Sequence, residues 1–187
     1  MSVLIGIGLS AACGFRIFVP LFIASIAAKT GHLQLAMGYE WMGSWPTLLA
    51  LGVATGCEIA AYYVPWIDHL MDMIASPAAV GAGMLVAAST MVDVPPYAKW
   101  ALVIIGGGGA AATTQFASVN LRLLSSACTG GIGNPIVSTI EAVGATVVSI
   151  LTIFIPIVAL LFMLMVGIIL YRIFGSSRIY DVRHGNQ

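Results

Sequence analysis

Five apolar stretches, each near or above the roughly 20 residues that a helix needs to cross a bilayer, occupy most of this 187-residue chain. They cover residues 3–28, 45–65, the run from the Ser76-Pro77 pair to residue 92, residues 97–118, and a last tract at 135–174. Only 7% of the residues are charged and 60% are hydrophobic, whereas soluble domains carry roughly 25% charge. That excludes a soluble fold. The expected class is an all-α polytopic transmembrane helix bundle of about five crossings plus broken or re-entrant half-helices, with residues 1–176 as one transmembrane domain and 177–187 as a short cytoplasmic tail.

Ser76 and Pro77 suit the N-cap and first position of the third helix. The last tract is longer than one crossing and is interrupted only by Glu141 and Pro156. It reads either as a re-entrant half-helix before a full crossing or as two crossings hinged near Pro156. The first is preferred, because Ile153-Phe154-Ile155-Pro156-Ile157 has no polar residue for a watery turn, whereas Thr129-Gly130-Gly131-Ile132-Gly133-Asn134-Pro135 is built to turn. Asn134 can cap a helix that begins at Pro135, and irregular backbone at membrane depth should be buried or line a hydrated cavity.

Positive charge orients the chain. With five crossings Lys29, Lys99, Arg172, Arg178 and Arg183 share one side and Asp68 and Asp72 the other, which puts the N-terminus outside and the tail in the cytoplasm. Tyr62, Tyr63 and Trp66 mark one interface, and Trp41, Trp45, Tyr97 and Trp100 the other. The first stretch has no basic residue before it and carries Arg16 within it, so it reads as a retained span rather than a cleaved signal.

One device occurs twice. LSAACGFRIFVP at 9–20 and LSSACTGGIGNP at 124–135 match without gaps at Leu, Ser, Ala, Cys, Ile and Pro, and each has an arginine close by, Arg16 and Arg122. Broken apolar segments in corresponding halves of a membrane protein point to a solute site, so an internal repeat is expected. The glycines of the second copy let amides turn inward while a half-helix aims its positive end at the same place, which suits an anion or a carbonyl group. A plain helix break at a crowded crossing is the competing account.

Four charges fall at depth: Arg16, Glu58, Arg122 and Glu141. Each costs at least about 2.5 to 3.5 kcal/mol at the centre of a span, so all four need partners or water. Either Arg16 pairs with Glu58 and Arg122 with Glu141 to fix helices in register, or the four face a shared polar path. Thr55 and Tyr62 lie on the helical face of Glu58, and Thr113, Thr114, Gln115, Ser118 and Asn120 lead to Arg122, which favours a cavity wall. The expected solute or ion path comprises Arg16, Glu58, Arg122 and Glu141 with Thr129, Gly130, Gly131, Gly133 and Asn134.

Other features read as packing. Cys13, Cys57 and Cys128 suit small buried residues rather than disulfides. The run from Gly106 to Gly109 lacks the Lys-Ser/Thr of a phosphate loop and, like Gly52 with Gly56, fits close helix approach. Asp68, His69 and Asp72 are near neighbours, but capping and interfacial solvation account for them as well as a cation does. No triad-like arrangement, metal or cofactor is expected, and no enzyme. Seven basic and seven acidic residues cancel, so nucleic acid is not an expected partner. The expected partners are membrane lipid, a small anion or polar solute, and copies of the chain or subunits of a membrane complex.

Gly8-Leu9-Ser10-Ala11-Ala12, Glu58 with the later Tyr63-x-Pro65-Trp66-x-Asp68, and Gly130-Gly131-Ile132-Gly133-Asn134-Pro135 with Glu141 resemble the bacterial membrane family catalogued as domain of unknown function 4126. The resemblance spans nearly the whole chain and is most distinctive at the glycine-asparagine-proline loop. It implies a multi-pass protein of the bacterial inner membrane, and it carries no substrate and no site residues. Family members often have a basic residue after the second-region glutamate, where this chain has Tyr62 and Tyr63. The function expected from the residues is a small transporter or channel for a polar or anionic solute, with an accessory subunit of a larger complex as the alternative.

Overall fold

The computed structural model describes residues 1–157, the side chains of 65–72 excepted, together with Leu161, Leu164, Met165 and Ile168. Among the described residues all regular structure is helical. Three helical stretches, Met73–Thr90, Pro96–Thr129 and Asn134–Phe154, are long and apolar enough to cross a membrane. Their outward faces carry exposed Ile104, Ile105, Phe116, Ile136, Ile140 and Val143, an apolar exterior that only a lipid environment or another apolar partner satisfies.

Helices α1 (Ser2–Cys13) and α2 (Phe18–Lys29) have 12 residues each. At 1.5 Å per residue each reaches only about 18 Å, well short of a bilayer core. They run in opposite directions along α7 (Asn134–Phe154). Gly8 of α1 faces Thr152, Arg16 in the connection reaches Ser138, and after α2 the chain returns to the far end of α7, where the rings of His32 and Phe154 lie 5.6 Å apart. Residues 3–28 therefore form a hairpin of two short antiparallel helices. As a result the N-terminal end packs near Tyr39, Val94 and Leu102, at the end of the bundle that also holds Lys29 and Lys99, and not opposite them.

Helix α3 (Trp45–Ala61) starts where the Ser44 hydroxyl accepts the Thr47 N–H at 3.4 Å and Pro46 occupies the first turn. Helix α4 (Pro65–Thr90) corrects the sequence reading, for it begins at Pro65, behind an extended Val64, and carries Pro77 inside. Residues before a proline are pushed toward extended backbone, so both prolines offer a start. The earlier one takes it. Helix α5 (Pro96–Ala101), a π turn (Leu102–Gly108) and α6 (Gly109–Thr129) make one 34-residue rod that continues well past residue 118.

Small residues bring α4 and this rod together. A Cβ on Gly83 would come within 2.6 Å of the Ala111 side chain, and one on Gly107 within 2.7 Å of that of Ala87. Gly106, Gly107 and Gly108 thus form a packing face, while Gly109 has nothing within 4 Å. Gly52 likewise seats Phe22, whereas Gly56 has nothing within 4 Å.

Gly130 and Gly131 end α6 with φ of 62° and 91°, values that glycine adopts at no steric cost. Helix α7 then runs 21 residues, about 31 Å, and ends at Ile155 before Pro156. That is a full crossing length where the sequence favoured a half-helix. Most of the tract beyond Ile157, including Arg172, Arg178, Arg183 and the 177–187 tail, lies outside the described residues.

Two further expectations are corrected. Cys13 is buried, but Cys57 and Cys128 are exposed, because they lie on the outward faces of α3 and α6. Trp41, Trp45, Tyr97, Trp100 and Tyr63 are exposed as interfacial rings should be, whereas Tyr62 is buried in the bundle.

Candidate functional site

The connection between α1 and α2 is the seed of the site. Gly14 sits so close to α6 that a Cβ would lie 2.5 Å from the Ala111 carbonyl oxygen. Two residues later Arg16, only 1% exposed, turns toward α7, where its Nη2 donates to the carbonyl and hydroxyl of Ser138 and lies 3.5 Å from Oε2 of Glu141.

Glu141 is a hub. It accepts the Ser118 hydroxyl through Oε1 and pairs closely with Arg122 through Nε and Nη2. Ser118 and Arg122 lie four apart on α6, and Ser138 and Glu141 three apart on α7, so each pair shares a helix face. The Tyr62 ring of α3 completes the arrangement, with the Arg16 and Arg122 guanidinium carbons 3.9 and 4.1 Å from its centroid. Guanidinium on an aromatic face is electrostatically favourable, more so away from water.

Glu58 has a different task from the one its charge suggested. Its carboxylate accepts the backbone N–H groups of Ile17 and Phe18 at 2.7 and 3.0 Å, and so caps the start of α2 from across the helix interface. The first N–H groups of a helix have no partner of their own, and negative charge is stabilising there. Of the two pairings that the sequence left as an alternative, that of Arg16 with Glu58 is replaced by an ion pair of Arg16 with Glu141, while that of Arg122 with Glu141 is present.

Not every donor is satisfied. Nε and Nη1 of Arg16 are buried without a hydrogen-bond partner, as is the hydroxyl of Thr55 one turn before Glu58. A buried donor left without an acceptor costs about 1–3 kcal/mol, so the Arg16 guanidinium has capacity beyond what the chain supplies. Beside this cluster lies a cavity of about 420 Å³ between the start of α2, the end of α3 and α4, lined by Ile17, Phe18, Cys57, Glu58, Tyr62 and Ile74 among others. Its walls are apolar except at Glu58 and Tyr62.

The second glycine-rich segment is not part of this cluster. Thr129 and Gly130 are exposed, nothing lies within 4 Å of a Cβ placed on Gly130 or Gly131, and one placed on Gly133 would meet Ser125 and Thr129. The segment is a tight turn at the end of the bundle rather than a buried loop. Asn134 is buried but does not act as the cap. Gly133 precedes the helix, its N–H donates to the Thr129 hydroxyl at 2.9 Å, and the Asn134 side chain instead bonds Ser126 of α6. The polar run before Arg122 divides by helix face: Thr114, Gln115 and Ser118 point inward, while Thr113 bonds back to the Gly109 carbonyl and Asn120 to that of Phe116.

Thus Arg16, Arg122 and Glu141 meet directly and Glu58 joins them through the hairpin connection, while Thr129, Gly130, Gly131 and Gly133 stay apart. The sequence reading missed Ser138 as a partner, although its position three residues before Glu141 was the available signal. Asp68, His69 and Asp72 fall among residues whose side chains lie outside the described set.

A family model described as a domain of unknown function, DUF4126, matches residues 3–175. No curated protein and no solved structure matches the chain.

Proposed function

We propose, for a chain that belongs to the DUF4126 family and so takes no activity from its family's description, that it moves a small polar or anionic solute or ion across the bacterial inner membrane. The observation that carries this reading is the buried Arg16 side chain, held at the tip of a short hairpin with Nε and Nη1 unbonded. Interrupted helices with free donors at membrane depth are how many transporters hold solutes. The α1–α2 hairpin is the re-entrant element. Helices α3, α4, the rod from α5 to α6, and α7 supply four crossings, and the apolar sequence beyond Pro156 is long enough for a fifth. The duplicated frame places both of its copies at helix-to-helix connections, which supports an internal repeat whose first copy has become the binding element.

The reading is tested by reconstituting the protein in liposomes and following uptake of small anions and polar solutes. Flux that falls at least about tenfold in Arg16→Gln and in Glu141→Gln supports it, in line with the loss of a charged hydrogen-bond partner. The absence of flux from folded wild-type protein overturns it.

An accessory subunit of a larger membrane complex is the second reading, and copies of the chain itself are the simplest partners. Gly56, Gly81, Gly109 and Gly144 favour it, since each leaves open space within 4 Å where a neighbouring helix can approach. A stoichiometric partner retained in mild detergent supports that reading.

A further inference from the structure

We infer that the cleft between α2 and α7 seats one acyl chain of an anionic phospholipid, with the lipid's phosphate beside Lys29 and a head-group hydroxyl on His32. The site stands apart from the Arg16–Glu141 cluster and does not depend on the transport reading. It is a cavity of about 320 Å³ walled by Ile23 and Ile26 of α2 and Ile150 and Phe154 of α7, among others, with Thr30 and His32 at one end. That volume lies in the range of small-molecule sites, roughly 300–1,000 Å³.

The walls decide what enters. They are apolar up to Thr30, and an apolar cavity does not hold water, so a polar solute gains nothing there. The outer lip is open, because Ile26, Ile150 and Phe154 are 39%, 44% and 61% exposed on the apolar exterior of the bundle. From Ile23 to Thr30 the cavity follows α2 for about 10 Å. Spread over that length its cross-section is about 30 Å², roughly a third of that of a helix 10–12 Å wide, so a single hydrocarbon chain fits and a helix from a second copy does not.

Polar groups gather at the end where a head would lie. Lys29 follows Ile26 by three residues and so shares the helix face that forms the lip. Its Nζ rests 4.9 Å from the centroid of the Trp45 ring, a contact that supplies no acceptor oxygen, and among the described residues no carboxylate pairs with it. Glu40, at the same end of the bundle, is turned to the Gly38 N–H at 2.9 Å. A phosphate complements such an ammonium.

His32 adds a second contact. The Thr30 hydroxyl gives its one hydrogen to the Ile26 or Ala27 carbonyl, so it receives the N–H of His32 Nδ1 at 2.9 Å. That assigns the tautomer and leaves Nε2 as an acceptor for a hydroxyl of the head, while the ring stands edge-on to Phe154 at 5.6 Å. Phosphatidylglycerol offers both groups, a charged phosphate and free hydroxyls, and is therefore the probe.

The test uses the full chain in phosphatidylcholine nanodiscs carrying a trace of phosphatidylglycerol with a diazirine at the end of one acyl chain. Irradiation is expected to cross-link the probe within residues 23–27 and 150–154, read by mass spectrometry of peptides, and unlabelled phosphatidylglycerol is expected to compete. Lys29→Gln should raise the mole fraction that halves the yield about fivefold, which is what one lysine near an anionic lipid surface contributes. His32→Phe keeps a ring against Phe154 but removes the acceptor, and should raise it about threefold to tenfold. Thr30→Trp, at an exposed position, plugs the mouth and should remove most of the cross-links.

Cross-links spread evenly around the bundle overturn the inference, as does a yield that extra phosphatidylglycerol and extra phosphatidylcholine lower alike. Both are read on the wild type, so neither depends on the folding of a variant. An unshifted mole fraction in Lys29→Gln overturns it too. Absence of cross-links at residues 23–27 and 150–154 means that protein fills the cleft, from a second copy or from this chain beyond residue 157, and is a further refutation. Each of these results leaves the transport reading where it stood.

Discussion

Glu58 reaches out of α3 to accept the backbone N–H of Ile17 at 2.7 Å, a bond that ties the start of one helix to the side chain of another 41 residues away. A second bond to the neighbouring Phe18 N–H doubles the tie. The hairpin arm α2 is therefore held at its mouth by a single carboxylate. Glu58→Ala removes both bonds and is expected to lower stability by about 1–2 kcal/mol, as for the loss of a helix cap. Glu58→Gln keeps one acceptor oxygen and should lose less. Thermal unfolding in detergent, with hydrogen exchange read at Ile17 and Phe18, checks the order.

Tyr62 gives a second prediction, because its ring lies against both arginines. Tyr62→Leu removes two cation–π contacts worth about 0.5–2 kcal/mol each, whereas Tyr62→Phe keeps the ring. The leucine variant should unfold at clearly lower temperature than the phenylalanine variant. Equal midpoints would show that the ring serves only as filler.

Three glycines separate three physical roles. Gly14→Ala drives a methyl to 2.5 Å from the Ala111 carbonyl oxygen and should cost about 1–3 kcal/mol or prevent folding. Gly130→Ala meets no neighbour but forces φ of 62° on an L-residue, at about 1–2 kcal/mol. Gly109→Ala has open space and helical backbone, so it should be neutral or stabilising by up to about 1 kcal/mol. Thermal midpoints of the three variants in one detergent test this ranking.

The thiols report the bundle's inside and outside. Cys57 and Cys128 are exposed and Cys13 is buried. A lipid-soluble maleimide should label the first two in the folded protein and reach Cys13 only after unfolding, with peptide mapping by mass spectrometry as the readout. Early labelling of Cys13 would contradict the packing of the hairpin tip.

Topology supplies the last prediction. Reporters fused ahead of Met1 and inserted at Gly38 should report the same side of the membrane, and one inserted at Gly131 the other, because α1 and α2 return to the end they left. Opposite sides for the first two would convert the hairpin back into a crossing.

Much of the helical content was legible, because runs of apolar residues bounded by Pro46, Pro96 and the Gly130-Gly131 pair admit few alternatives. The gathering of Arg16, Glu58, Arg122 and Glu141 could also be anticipated from the expense of isolated charge in lipid. Their pairing could not. Whether Glu58 meets a guanidinium or two backbone amides depends on where α1 ends and α2 begins, which leaves the N–H groups of Ile17 and Phe18 facing Glu58. The start of α4 was misread because Ser76-Pro77 and Val64-Pro65 carry the same local signal, and only tertiary packing chooses between them. The glycines at 130 and 131 showed a turn but not its depth, since positive φ serves an exposed corner as well as a buried loop.

Arg16 and the Ser138 that receives it stand 122 residues apart. During synthesis the ribosome delivers the hairpin tip long before α6 and α7 exist to neutralise it, and a lone guanidinium in lipid costs at least about 2.5 kcal/mol. The hairpin is thus made well before the residues that receive its Arg16, because Ser138 and Glu141 both lie on α7. A chain ending before Ser138 would keep the surfaces of α3 and α4 on which the hairpin packs but would leave the Arg16 guanidinium without Ser138 and Glu141.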